Sequence, residues 1–513
     1  MPVYQLGSLN TAALQAPNIY VQIVSPKIRY INGVPTDIYG LVGVASWGPV
    51  NSPTLVGSPA DGQRFFGVQQ VRKYDLASAI AIGFQVGAFN QRIVRVTDGT
   101  DVAASVALLD TLPATGATLT GFYTGTVGNT ITAAVTSGSK ASTFKLTVTL
   151  PGYISEVFDN IAGSGATFWA NLVSAVNNGQ SGLRGPSSLV VATIGTGTAA
   201  PNVSTTFTLS GGTDGATTIT DTTLIGQDGN IRKGMYALRA SGASVINLVD
   251  VTDSTTWSGQ NAYGLGEGAY MVCQGPAGAS YSTVSTSLNT AGVDSYALKV
   301  LVGDWTYWQD TVNGQTRLMA PASFMAAKIA SQAPHYSSLN KQISGIVGTG
   351  RTQANYPYSD SEIGAIVQAR MDVITNPCPG GNYYGGRTGR NVSSNSAVNG
   401  DNYTRMTNFI AFTLAASFGF VVGNNQTTTL RRSARASMDA FLSNLEFLGM
   451  IGDVNGGPAF SVQLDAADNP DARVALGYMQ ADVSVKYLSV IFDFIVNLEG
   501  GQSVVIQSSI RPA

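Results

Sequence analysis

Apolar residues recur along this chain with two periods, and where the period changes the predicted element changes with it. Toward the end, Val483, Val485 and Tyr487 share one parity while Val490, Phe492, Phe494, Val496 and Leu498 share the other, which predicts two strands broken near Leu488 and Ser489. Beyond Gly500-Gly501 the short β-prone run Val504-Val505-Ile506 has nothing behind it to fold onto. The chain opens in a similar way, with Ile19-Tyr20-Val21-Gln22-Ile23 following a polar arm. Such ends either pair within their own sheet or add to the sheet of another molecule. The alternation alone permits both.

Between the ends, the apolar run from Val34 to Ala45, bounded by Pro and Gly, predicts a buried strand, residues 59–67 and Leu76 to Ala88 predict helices, and Arg92 to Val96 predicts the next strand. This alternation reads as an α/β layer. From about Asp101 to Thr205 charged residues become rare and Thr, Ala and Gly dominate. There Ile131 to Val135 and Phe144 to Leu150 alternate as strands and a helix is expected from Ser155 to Val176, so an inserted β-rich domain is the simplest account. Val245 to Val249, Tyr270 to Cys273 and Leu298 to Val302 return to short buried strands, and Ala320-Pro321-Ala322 opens a helix reaching Ser331. From Tyr356 the helices lengthen, starting at Ser359, at Tyr403 and at Leu430. In the last, Met438, Phe441, Leu442, Leu445 and Leu448 form an inward stripe. The expected organisation is a linking arm (1–24), an α/β domain in two parts (25–100 and 206–350) around an inserted β-rich outer domain (101–205), a C-terminal α+β domain (351–500) and a second arm (501–513). The fold class is α/β and α+β multidomain, with exchanged terminal strands.

Composition narrows what such a protein can do. At 513 residues several domains are expected. Charged residues make up only 11% of the chain, against a typical quarter, and the net charge is -2. Without clustered Lys and Arg, neither nucleic acid nor an anionic membrane is an expected partner. The most apolar run, Phe409 to Val422, is too short to span a bilayer and predicts a buried core helix. No secretory signal is evident, the first basic residue being Lys27.

Candidate chemistry is sparse. His335 is the single histidine, and Cys273 and Cys378 are too far apart in sequence to form a metal-binding CxxC pair, so buried free thiols are expected. Gly138-Ser139-Lys140 is followed by Ala141 and lacks the hydroxyl a phosphate loop needs; Gly264, Gly266 and Gly268 lack dinucleotide spacing, and both are expected to be loops. Asp465, Asp468 and Asp471 flank Asn469-Pro470 and are expected to cap turns. No catalytic, cofactor or metal residue is assigned.

Several segments resemble the tail sheath protein family of contractile bacteriophages: residues 18–22, Val34-Pro35-Thr36, residues 40–43 and 47–50, Phe65-Phe66-Gly67, Arg92 to Val96, residues 125–129, 156–160 and 209–215, Gly385-Gly386-Arg387-Thr388, Asn399 to Phe409 and Asn469-Pro470. The resemblance implies a non-enzymatic virion subunit, assembled in the host cytoplasm, that polymerises helically around a tail tube and contracts to drive the tube through a bacterial envelope. The sheath of a phage-tail-like bacteriocin or other contractile injection system shares the same sequence logic, and a secreted β-rich hydrolase or adhesin is the reading from another class. Implied partners are further copies of the chain, the tube protein, and baseplate and terminator proteins, with no cofactor. Ile19, Tyr20, Val21, Ile23, Val504, Val505 and Ile506 would link subunits, and Arg431, Arg432 and Arg435 would face an acidic tube.

Overall fold

The computed structural model describes residues 31–498 apart from Leu183 and Ser204, together with the segments Val3–Tyr4 and Val21–Gln22. The chain forms two compact units, residues 31–424 and a second one built from residues 1–30 and 425–513.

The larger unit is organised on a six-stranded sheet. Its spatial order is Leu298–Leu301, Tyr270–Gln274, Val245–Leu248, Ile38–Gly43, Asn90–Arg95 and Thr54–Val56. Neighbours run parallel except Thr54–Val56, which is antiparallel at one edge. Ile38–Gly43 is buried at every position, and burial on both faces is why its sequence shows an unbroken apolar run. Tyr39, Leu41, Val245 and Tyr270 join the core beneath the helices Leu76–Val86 and Pro321–Ala330. Val42, Ile246, Leu248 and Met271 point to the other face, where Trp257, Tyr263, Val284 and Leu288 complete a second core. The helix predicted over Leu76 to Ala88 runs from Leu76 to Val86, with Asp75 accepting from Ser78 N–H at one end and Gly87 in a left-handed conformation (φ 107°) at the other.

Between the strands Asn90–Arg95 and Val245–Leu248 the chain builds a separate core from two antiparallel sheets. One has the order Glu156–Ile161, Phe144–Thr149, Thr132–Ser137, Thr206–Thr208; the other has the order Val190–Ile194, Thr115–Gly121, Ser105–Leu109. The helix Ala166–Asn178 lays Phe168, Trp169, Leu172 and Val176 against them. Gly116 is required under this helix, because a Cβ there would lie 2.0 Å from the Trp169 indole. The single helix expected over Ser155 to Val176 is corrected: its first part, Glu156–Ile161, is a strand paired to Phe144–Thr149, and the helix begins only after Gly163 and Gly165, both at positive φ. Burial of Glu156, Phe158 and, past a bulge, Ile161 against the sheet outweighs the expected helix.

Two further expectations in this unit change. Gly264 to Gly268 is not a loop: it ends the helix Trp257–Glu267, with Gly268 as its left-handed cap and the Phe412 ring lying where a Cβ would project. The helix Asp401–Ser417 is one-sided rather than buried, with Phe409, Ile410 and Thr413 inside and Phe412 exposed.

In the second unit the helix Thr428–Phe447 packs on an antiparallel pair, Phe460–Gln463 with Asp482–Val485. Met438, Phe441, Leu442 and Leu445 are buried as the helical stripe predicts, but Leu448 caps the helix and is exposed. The first predicted terminal strand forms. The second does not: residues 486–498 adopt no regular element, and Ile491, Phe494, Ile495, Val496 and Leu498, of both parities, are exposed. No sheet face within the described residues receives them, so the period of 2 has nothing to register against. In the N-terminal segments, Val3 pairs with Val21 and Tyr4 with Gln22, in parallel.

Candidate functional site: a closed crevice and the surfaces left open

An open parallel sheet offers a ligand crevice where consecutive strands depart in opposite directions, here beyond the C-terminal ends of Ile38–Gly43 and Val245–Leu248. In this protein the crevice is filled by its own side chains. The Asp221 carboxylate accepts from the backbone N–H groups of Thr252 and Asp253, both at 2.7 Å, from the Tyr74 hydroxyl, and from Lys73 Nζ at 3.2 Å. A carboxylate thus occupies the N–H pair that would otherwise receive an anion. Burial raises the Asp221 pKa, but these donors outweigh it and hold the group below the usual carboxylate range. Beneath it, Asp250 accepts from Tyr74 N–H at 3.0 Å, while its Oδ1 is buried without a partner. Burial pushes its pKa up to about 6, against the pull of that N–H and of Lys73.

The junction with the inserted module is held by a network of buried and half-buried charges. Arg95, fully buried in its strand, donates to three carbonyls from three segments: Gly48 (2.9 Å), Thr124 (2.6 Å) and Asp214 (3.1 Å). Arg72 bridges Asp75 (3.0 Å), Asp214 (2.7 Å) and the Ser46 hydroxyl (3.1 Å). Asp98, on the segment leaving the layer, accepts from the N–H groups of Thr217 and Thr218 on the returning segment, at 3.0 and 2.9 Å. Bonds from the Thr100 hydroxyl and the Thr218 N–H hold its carboxyl far below the usual range. Sequence reasoning missed this joint. The available signal was Arg95, a cation between Val94 and Val96 in a chain with few charges, a position that only a dedicated set of acceptors can hold.

The residues singled out for chemistry are dispersed. His335 lies against Tyr336, its pKa lowered by burial and then by the Arg405 guanidinium. Cys273 and Cys378 are both buried and free, as expected. Gly138-Ser139-Lys140 turns between two strands, and Asp159 caps it by accepting from Ser139 N–H at 3.0 Å. Asp465 caps a turn at Ala467 N–H, 2.8 Å away, and Asp471 begins a short helix. Among the described residues no group of three His, Cys, Asp or Glu side chains could hold a metal, and no helix is long and apolar enough to cross a membrane.

Of the predicted linking residues only Val21 is described; Ile19, Tyr20, Ile23, Val504, Val505 and Ile506 lie outside the described residues. The three arginines occupy the first two turns of Thr428–Phe447, whose first turn carries no acidic residue. Arg432 and Arg435 are exposed and Arg431 is half-buried, with Arg435 Nε 3.7 Å from Asp439. A surface ion pair at that distance contributes little.

No protein-family model matches the sequence, and no curated protein matches it. The fold, however, is shared along nearly the whole chain with solved sheath subunits. A sheath tail protein from Listeria innocua superposes with a TM-score of 0.61 at 15% identity, over 89% of this chain and 96% of that one. One from Desulfitobacterium hafniense gives 0.55 at 16% identity, over 87% and 94%. The sheath of an extracellular contractile injection system, PVC, in its contracted state gives 0.55 at 10% identity, over 96% and 99%. The mixed α/β, multidomain fold of this chain is therefore that of contractile-sheath subunits.

Proposed function

We propose that this protein is the structural, non-enzymatic subunit of a contractile tail sheath, polymerising helically around a tail tube and contracting to drive it through a bacterial envelope. The observation that carries the reading is the extent of the fold likeness: it covers 89 to 96% of this chain and 96 to 99% of the sheath chains, one of them from a contracted sheath. A local likeness of the α/β layer alone would carry no such weight.

The proposed organisation is an outer β-rich module on the α/β domain, a C-terminal inner domain, and terminal arms joining neighbours, with tube, baseplate and terminator proteins as partners. Assembly would take place in the host cytoplasm, and the place of action would be a virion tail. The sheath of an extracellular injection system remains the second reading, favoured by the likeness to the PVC sheath. Two observations favour linkage through the arms. The pair Phe460–Gln463 and Asp482–Val485 is a two-stranded sheet among the described residues, and such a sheet has two edges to offer. The segment that follows carries exposed apolar side chains, among them Ile491, Phe494 and Leu498.

The test is electron microscopy of the purified full-length protein. Helical sleeves are expected, and monomers at every concentration and salt condition tried would overturn the reading. DNA within tubes isolated from the source would separate a virion tail from an injection system.

A further inference from the structure

Lys299 lies in the middle of an apolar strand and is fully buried, yet it belongs to no surface discussed so far. Its Nζ is 2.6 Å from Asp372 Oδ2 and 3.6 Å from Asp401 Oδ2, both carboxylates being equally hidden. Nζ also donates to the Arg390 carbonyl at 3.0 Å and faces the Ser338 hydroxyl at 3.4 Å. Asp372 Oδ1 accepts three backbone N–H groups, from Val373 (2.8 Å), Thr388 (2.9 Å) and Arg387 (3.2 Å), and Gly389 N–H reaches Oδ2 at 3.2 Å. Leu298 and Val300 flank Lys299 in its strand and Met371 and Val373 flank Asp372, all four buried.

These contacts contain the parts of an amide-forming site: a buried amine touching a carboxyl, N–H donors on one carboxyl oxygen, and a second carboxylate within reach of the nitrogen. We propose that Lys299 and Asp372 condense to an intramolecular isopeptide bond, with Asp401 as the proton carrier. A proton passes from the Lys299 ammonium to Asp372 Oδ2, leaving an amine and a carboxylic acid. Nζ adds to Cγ, and the negative charge moves onto Oδ1, where the Val373, Arg387 and Thr388 N–H groups receive it. Asp401 takes a proton from the nitrogen and returns it to the Oδ2 hydroxyl, which departs as water. Nζ–Cγ forms, Cγ–Oδ2 breaks, and nothing is oxidised or reduced.

Burial supplies the driving force. In water the separated ions are favoured by their hydration, but a buried ammonium and carboxylate have lost it, whereas an amide and a released water carry no such penalty. Contact between the reacting groups removes the entropy of bringing them together. The bond would tie the edge strand Leu298–Leu301 to the segment running beside it, where Asp372 N–H donates to Val300 O and Val302 N–H to Asp372 O. Backbone hydrogen bonds there would gain a covalent cross-link that a pulling force cannot part.

Intact mass spectrometry of the denatured full-length protein tests this. The wild type should be one water lighter than its sequence, with a proteolytic fragment joining the peptides of Lys299 and Asp372. Lys299→Arg and Asp401→Asn should both have the full mass. A wild type at full mass would overturn the proposal without recourse to any variant. So would a water loss that maps to a succinimide at an Asp-Gly pair such as Asp98-Gly99. An Asp401→Asn protein still one water lighter would overturn the part given to Asp401.

Discussion

Trp47 stands edge-on to Tyr123, ring centroids 5.5 Å apart at 86°, so a side chain from the loop after a central strand of the α/β layer is buried in the core of the inserted module. The fit is close on both sides: a Cβ on Gly128 would lie 3.0 Å from the indole and one on Gly121 3.2 Å from it. Together with Arg95 and Asp214, this joint makes the module an extension of the layer rather than a bead on a linker.

Replacing Trp47 by Ala removes a fully buried aromatic from a packed core. A loss of about 3 to 5 kcal/mol is expected, read as a lower midpoint in guanidinium unfolding. Protease cleavage should appear first between residues 101 and 213. An unchanged midpoint would mean that the module is stable without its anchor.

Asp250 predicts a pH dependence of stability. Its folded pKa of about 6 lies above the unfolded value near 3.8, so the unfolded chain ionises first and stability falls as pH rises from about 4 through 6. Asp250→Asn keeps an acceptor for Tyr74 N–H and removes the titration. The variant should gain on the wild type across that window, by up to about 3 kcal/mol at pH 7 and above. Thermal melts at pH 4.5 and 7.5 measure the difference, and a pH-independent gap between the two proteins would count against the assignment.

Truncation tests the arms. Removing Gln502 to Ala513, or residues 2–24, should give folded subunits that do not form sleeves, since strand addition across subunits would lose one partner. Normal sleeves from either truncation would exclude that arm from linkage.

Arg431, Arg432 and Arg435 sit where the helix dipole disfavours cations, by some tenths of a kcal/mol each when exposed. Reversing all three to Glu should leave folding intact or slightly improved, and contracted sleeves should still form. Assembly of extended sheath around tubes should fail. Tube-filled tails at wild-type yield would rule out contact with the tube.

Much of the larger unit follows from the sequence by itself. Strands buried on both faces announce themselves as short apolar runs, as at Ile38–Gly43 and Tyr270–Gln274, and the ends of Leu76–Val86 are written in Asp75 and Gly87. The inserted module shows as a loss of charge. These signals are local, because burial and capping act on residues near in sequence. What only the tertiary structure decided depends on partners distant along the chain. Glu156–Ile161 became a strand because Phe144–Thr149 offers an edge, and Gly264 to Gly268 became a helix end under Phe412. Residues 490–498 alternate like a strand, yet they form no regular element, since a period of 2 fixes a strand only when a neighbour supplies its hydrogen bonds. The buried charges were the least legible of all: Arg95 and Lys299 lie in apolar strands where sequence predicts only aliphatic packing, and their carbonyls and carboxylates arrive from segments far along the chain. An isolated charge in an apolar run signals that such partners exist, but only the folded chain identifies them.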